Sequence, residues 1–452
     1  MRENGVRRLT RRTALLGGMG LLAGCDTLTE TFDSWFGERK VPLRGERRPV
    51  LAVERPLDVE ADNQVPVTLA PPALNPDWAQ PGGSIGHAPG HPALGLRLGQ
   101  AWRTSVGTGT AYRRRLIAPP IVAGGAVYAV DALGEVTALT ALDGRRRWAF
   151  DSRRETDRDG GLSGALAFDA GTLYLATGLA EVIALDPADG KPRWRVDLPA
   201  PARGGMTVAE GRIFVTTTEN HLLALSTEDG RRLWTYRGQP TITMALGLPA
   251  PAVAGDIVVT GFASGELAAI RSSDGRALWS ETLTSSRGGG LADIAAITAL
   301  PVIDRGRVYA SGLGGITIAL DLRSGRRLWE RDVAAAETPW VIGDWVFLLT
   351  TGAELACLGR EDGRVRWIRP LARYKNEEKR RDPISWATPV LAGGRLLVAN
   401  SLAELVEIDP ADGEIAGRVK LPAGVVLQPA VAGGVLYVLG EDATVAAIQG
   451  GA

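Results

Sequence analysis

The sequence predicts an all-β ring of eight units, each made of four short strands, and three observations predict it. The first is a phrase of Asp-Gly, three residues and Trp. It recurs at Asp143-Gly144 with Trp148, Asp189-Gly190 with Trp194, Asp229-Gly230 with Trp234, Asp274-Gly275 with Trp279 and Asp362-Gly363 with Trp367. Ser324-Gly325 with Trp329 is a variant, Asp412-Gly413 has Gly417 where Trp is expected, and Trp102 stands without a turn. These eight positions lie about 45 residues apart, the period of a propeller blade. The second observation is what precedes each turn: three β-rich runs separated by Gly, Asp or Asn, as in 121–139, 301–320 and 429–448. With the Trp run as a fourth strand, this is blade content. The third is closure. The last phrase ends at Ile448 without a fourth strand, and 100–106 at the other end supplies one, which removes an exposed edge. The expectation is an eight-bladed β-propeller with four-stranded blades, closed by pairing of the N- and C-terminal strands.

Taken in order, residues 1–25 read as an export signal. Arg2, Arg7, Arg8, Arg11 and Arg12 form a basic region, 14–23 is a short apolar run, and Leu22-Ala23-Gly24-Cys25 resembles a lipobox. Cys25 is then the lipidated N-terminus of the mature protein. Thr10-Arg11-Arg12-Thr13-Ala14-Leu15-Leu16 also resembles a twin-arginine signal. Asp26 resembles the signal that holds lipoproteins at the inner membrane in enteric bacteria, which leaves two membranes open.

Residues 26–95 are rich in proline and charge and lack the repeat, so they read as a tether. Phe32, Trp35 and Phe36 are its apolar exceptions. His87 and His91 lie in a Pro/Gly loop without a nearby Cys or carboxylate, a poor zinc pattern that favours an ordered loop. His221 reads as a surface residue in a turn between strands.

Residues 96–452 form the ring. Its Asp-Gly turns suit tight hairpins, which need positive φ at both central residues. Trp102, Trp148, Trp194, Trp234, Trp279, Trp329 and Trp367 read as architecture, one large ring per blade packed on its neighbour. Four connections stand out: 153–161 is charged, 239–251 carries alternating aliphatics, 285–300 opens on three glycines, and 374–382 is a charged run expected to be a solvated loop. Such loops carry function on a rigid frame.

Formal net charge is +0, which gives no basic face for nucleic acid. No apolar run reaches the ~18 residues of a membrane span. With Cys25 assigned to the lipid anchor, Cys357 is left alone in the folded part and no internal disulfide forms.

The Asp-Gly-x-x-x-Trp phrase in an eight-bladed ring resembles the pyrroloquinoline quinone dehydrogenases, and it equally resembles the BamB family, lipoproteins of the β-barrel assembly machinery. The likeness to the BamB family covers almost the whole mature chain: the lipobox at Cys25, the length, the phrase from Leu320 to Trp329 and the order of the long loops. It implies a scaffold without catalysis or cofactor, at the periplasmic face of the outer membrane. It implies binding to the periplasmic domains of BamA, the barrel-inserting subunit, as a monomer within a hetero-complex that includes the other assembly components. Unfolded outer-membrane proteins are a further class of partner. In that family one loop carries alternating aliphatics followed by Arg; Ile242 and Met244 match, and Ala245 stands for the Arg. A second loop carries Leu-x-Asp-x-Asp; Leu291 and Asp293 match, and Ala295 stands for the second Asp. Half of the polar contacts are replaced, so the contact is either more apolar here, against a less polar partner surface, or made by different residues.

Two alternatives remain. A quinoprotein dehydrogenase would resemble a cofactor stacked between a Trp floor and a disulfide of adjacent cysteines, with Ca²⁺ and an Asp base. With one Cys after export that disulfide cannot form. A generic peptide- or glycan-binding propeller is the other, with loop edges that accept an extended strand.

Overall fold

The structure is a computed structural model that describes residues 57–60, 65–112, 114–154, 163–202, 204–241, 247–284 and 295–451. Cys25, Phe32, Trp35 and Phe36 lie outside the described residues. Those described form eight four-stranded antiparallel sheets and one two-stranded hairpin, so the expected eight-bladed propeller is the fold. Blades 1 to 7 begin at Ile121, Ala165, Met206, Ala252, Val302, Trp340 and Val390, and each runs first to fourth strand in chain order. Blade 8 joins three C-terminal strands to Arg97–Ser105, which pairs with Thr444–Gly451 from Arg97 opposite Gly451 to Ser105 opposite Thr444.

The burial pattern follows from this layering. Second and third strands are buried through most of their length between neighbouring blades, as in Ala126–Val130 and Glu181–Leu185. Fourth strands alternate, as in Arg232–Arg237, because only one face meets a neighbour.

Each repeated Trp has a defined job. Its indole Nε1 donates to a main-chain carbonyl in the next blade's Asp-Gly region: Trp102 to Ala141, Trp148 to Pro187, Trp194 to Thr227, Trp234 to Ser272, Trp279 to Leu322, Trp329 to Arg360 and Trp367 to Pro410, all at 2.8–3.1 Å. The turn glycine then lies flat on the indole. A Cβ on Gly144 would sit 2.4 Å from Trp102, and one on Gly413 2.5 Å from Trp367. The turn glycine therefore serves twice, for positive φ and for close approach. Across the sheet each Trp faces a small residue: Ala447, Ala138, Ala184, Ala224, Ala269, Ala319 and Cys357. Cys357 thus fills the alanine position of the repeat.

The N-terminal extension departs from the expected tether. Leu57 is buried, and Glu60 pairs with Arg331 at 2.7 Å. Residues 75–92 then visit every blade in ring order. Asn75 O accepts from Gly433 N of blade 8, Trp78 exchanges two main-chain bonds with Val122 of blade 1, and Ala79 O accepts from Phe168 N of blade 2. The Gln80 amide exchanges two bonds with Val208 of blade 3. Ile85 O and Gly86 O accept from Val253 and Ile303 of blades 4 and 5, Gly90 O from the Trp340 indole of blade 6, and Pro92 O from Gly393 N of blade 7. These partners lie within the first strands or just past their ends, so the segment plugs the ring along the inner edges of the blades. The sequence resembles a tether here because none of these contacts leaves a periodic trace: most use carbonyls, which every residue type has.

Candidate functional site

The connections from the fourth strand of one blade to the first strand of the next all leave from the end of the ring opposite the plug. All four conspicuous connections are of this kind, so they begin and end on one face. In the first, Arg153 pairs with Asp151 at 2.6 Å, and Arg154 pairs with Asp197 at 2.6 Å and with the buried Glu181. The charged run at 374–382, expected as a loop, is instead an exposed hairpin of Tyr374–Asn376 and Arg381–Pro383. Turn chemistry explains the difference: the Glu377 carboxylate accepts from the main-chain N of Arg373 and Tyr374, and Asn376 accepts from Lys379 N. On the same face the connection before blade 1 presents Tyr112, which is 98% exposed.

Ile242, Met244, Leu291 and Asp293, the expected partner contacts, lie outside the described residues. Their flanks are described and adjacent. The two connections leave the ends of blades 3 and 4 and meet at the 262–266 turn, which ends in Glu266, a buried carboxylate at the start of a blade 4 strand. Glu266 accepts from Tyr236 Oη at 2.7 Å and from Gln239 N at 2.5 Å. Burial, with the Glu266 carboxylate beside it, pushes the Tyr236 phenol up. Past the second connection, Ile297 N donates to Phe262 O, and Ala295 lies against Gly265. The sequence reading missed this brace, whose one signal was an aromatic residue, Tyr236, two positions after a repeat Trp.

Inside the ring of connections lies a cup on the axis, of about 390 Å³. All eight blades contribute to its wall, among them Pro119, Ala165, Gly205, Leu248, Leu300, Thr338, Thr388 and Gln428. Pro81 of the plug contributes from the opposite end. Among the described lining residues Glu337 alone is ionisable. Its Oε2 accepts from Thr388 Oγ1 at 2.5 Å, and burial pushes its carboxyl up to about 7. It also borders a second cavity of about 270 Å³ with Trp386 and Thr350.

The histidines are architectural. His87 Nδ1 donates to Pro301 O at 2.6 Å, and burial lowers its pKa to about 4. His91 donates from Nδ1 to Ala70 O and accepts at Nε2 from Gly394 N, which fixes its tautomer. His221 opens the strand His221–Ser226 rather than lying in a turn, 3.9 Å from Glu219.

The family model described as outer membrane protein assembly factor BamB matches residues 99–159, 135–369 and 372–451. Outer membrane protein assembly factor BamB of Salmonella typhimurium is 29% identical over 389 residues, 77% of this chain and 88% of that protein. Its counterpart in Alkalilimnicola ehrlichii is 30% identical over 357 residues, 78% and 89% of the two chains. Among solved structures, BamB from Moraxella catarrhalis superposes with a TM-score of 0.67 at 18% identity, covering 78% of this chain and 99% of that one. Quinohemoprotein alcohol dehydrogenase from Comamonas testosteroni reaches 0.63 at 16% identity, covering 84% and 82%. At these identities the structures speak for the fold alone.

Proposed function

Because the chain belongs to the family of outer membrane protein assembly factor BamB, we propose that it is a non-catalytic scaffold in the assembly of outer-membrane β-barrel proteins. The observation that carries this reading is the family match, which runs from the closing strand at residue 99 through all eight blades to residue 451. In this reading the protein is anchored through lipid on Cys25, faces the periplasm at the outer membrane, and binds a BamA-like barrel-inserting subunit. Contact runs through the adjacent connections that carry Ile242, Met244, Leu291 and Asp293. Adjacency supports this choice: both connections flank the Glu266 brace, so one partner element can engage both. With Ala245 and Ala295 in place of charged residues, this contact relies on apolar burial more than on ion pairs.

The residues present do not fit a quinone cofactor with its calcium ion. The one ionisable side chain described in the axial cup is an acid, which disfavours an anionic quinone. Cys357 is buried within a blade opposite Trp367 and has no neighbouring cysteine. Among the described residues no group of three His, Cys, Asp or Glu could hold a metal ion.

The test is a mild-detergent pull-down of the tagged protein from its own envelope, beside a variant with Met244→Asp and Asp293→Arg. Recovery of the barrel-inserting subunit by the parent and its loss in the variant is the expected result. Recovery by both would move the contact elsewhere on the ring. An intrinsic quinone absorbance on the purified protein, with no such partner, would overturn the scaffold reading. Cys25→Ser is expected to abolish labelling of the protein with radioactive palmitate.

A further inference from the structure

We propose that the axial cup is a binding site for an ammonium or guanidinium group carried on an apolar stem, with the Glu337 carboxylate as its counter-ion. The first ground is position. In the six blades with Pro just before or near the start of the first strand, the residue two places before that Pro is Ala118, Pro249, Ala299, Glu337, Ala387 or Leu427. Five are apolar and one is an acid, so the repeat does not call for a carboxylate here. A group that breaks the repeat at the ring axis serves something other than the ring.

The second ground is surroundings. Thr388 is Glu337's one hydrogen-bond partner among the described residues, and no described cation lies within ion-pair distance of it. The rest of the wall is largely apolar, with Leu248 and Leu300 on the neighbouring side and Ala165 across the axis, and the plug supplies Pro81, so an entering stem is buried at its far end. The volume, about 390 Å³, suits a small ligand or one long side chain. A carboxylate so placed is poorly solvated, and a cation beside it is attracted more strongly than at a water-exposed surface. Burial already holds the carboxyl at about 7. An arriving cation favours the ionised form, so binding near pH 6 transfers the carboxyl proton to the buffer. No second titratable side chain lines the cup among the described residues, and Thr298, Thr338 and Gln428 are neutral. The stem is that of a free amine or of a Lys or Arg side chain, and the two share this chemistry. The proposal does not rest on the assembly reading: either can fail while the other stands.

Calorimetric titration of the full chain at pH 8 with n-pentylamine, n-pentanol and pentanoate tests it. The amine is expected to bind at least tenfold more tightly than the alcohol, and pentanoate more weakly than either. Glu337→Gln is expected to bring the amine to the level of the alcohol, and Leu427→Trp, which fills the cup, to abolish both. Amine no tighter than alcohol, or amine binding unchanged in Glu337→Gln, would overturn the proposal. If that variant does not fold, the parent protein decides: its amine affinity should fall at least fivefold from pH 8 to pH 5.5 with the alcohol unchanged, and a flat profile overturns the proposal. A lysine peptide tighter than its norleucine counterpart and than pentylamine would identify a polypeptide as the source. Equal binding of peptide and pentylamine would identify a free amine.

Discussion

Arg395 and Glu407 form a largely buried ion pair at 3.0 Å, with only 12% and 13% of their side chains exposed, at the junction between blades 7 and 8. Arg395 also donates to the main-chain carbonyls of Gly95 and Leu96, each at 2.5 Å, where the N-terminal chain enters the closing strand. This junction is the one that lacks the repeated indole-to-turn contact. Seven junctions are held by an indole that donates into the next blade's turn. Blade 8 has no such turn, because its third and fourth strands belong to opposite ends of the chain. An indole at 417 would have no turn to reach. Glu407 instead stands opposite Gly417, where any Cβ would lie 2.6 Å from its carboxylate, and orients Arg395 onto the incoming strand.

Arg395→Met should therefore destabilise the ring by about 3–5 kcal/mol, since it leaves a carboxylate buried without its partner. The double variant with Glu407→Ala should recover part of that loss. Urea denaturation followed by tryptophan fluorescence measures both. Equal stability of the parent and Arg395→Met would mean that strand pairing alone closes the ring.

The turn glycines offer a controlled comparison. Gly230 and Gly255 both have positive φ, at 71° and 53°. Around Gly255 nothing lies within 4 Å, whereas a Cβ on Gly230 would sit 2.7 Å from Val196 and 2.8 Å from Trp194. Gly255→Ala should cost about 1 kcal/mol, for backbone strain alone. Gly230→Ala should cost about 3 kcal/mol, because the Trp194 ring must also move off the turn. Equal losses in thermal unfolding would show that the indole contact adds nothing.

What the sequence discloses and what it hides follow one physical rule. Features that every blade needs leave a period: the turn glycine, the indole and the small residue opposite it. The blade number and terminal closure were legible for that reason. The plug occurs once and binds mostly through carbonyls, so its prolines and glycines looked like a tether although Gln80, His87 and His91 are fixed on the ring. Glu337 was hidden differently. It is a single acid, and only alignment of the six first strands that carry a Pro reveals that its five counterparts are apolar. The expected contacts at Ile242, Met244, Leu291 and Asp293 came from family likeness, which fixes their place in the chain and not their conformation.

His87 ties plug stability to pH. Its folded pKa, about 4, lies below the ordinary 6.5 because burial disfavours the charged ring. The unfolded chain therefore takes up a proton first. The stability held by neutral His87 is complete above about pH 6.5 and is lost as pH falls toward 4, by up to about 3 kcal/mol. In His87→Asn, whose amide can still donate to Pro301 O, that part of the pH dependence should vanish. Unfolding free energies at pH 7.5, 6, 5 and 4.5 for both proteins give the comparison. Parallel curves would place the acid sensitivity elsewhere.

Cys357 provides the last prediction. It is fully buried, faces Trp367 across the sheet, and occupies the position that six other blades fill with alanine. Burial pushes its thiol up, so almost no thiolate exists at neutral pH, and the native protein should resist thiol reagents for hours while the urea-unfolded chain reacts within minutes. Cys357→Ala should cost only about 1 kcal/mol, because the repeat shows that alanine accommodates an indole in this geometry. Cys357→Val should cost more, since a branched side chain must share the space beneath Trp367. Rapid labelling of the folded protein would mean that this part of blade 6 opens locally, far below the energy of global unfolding.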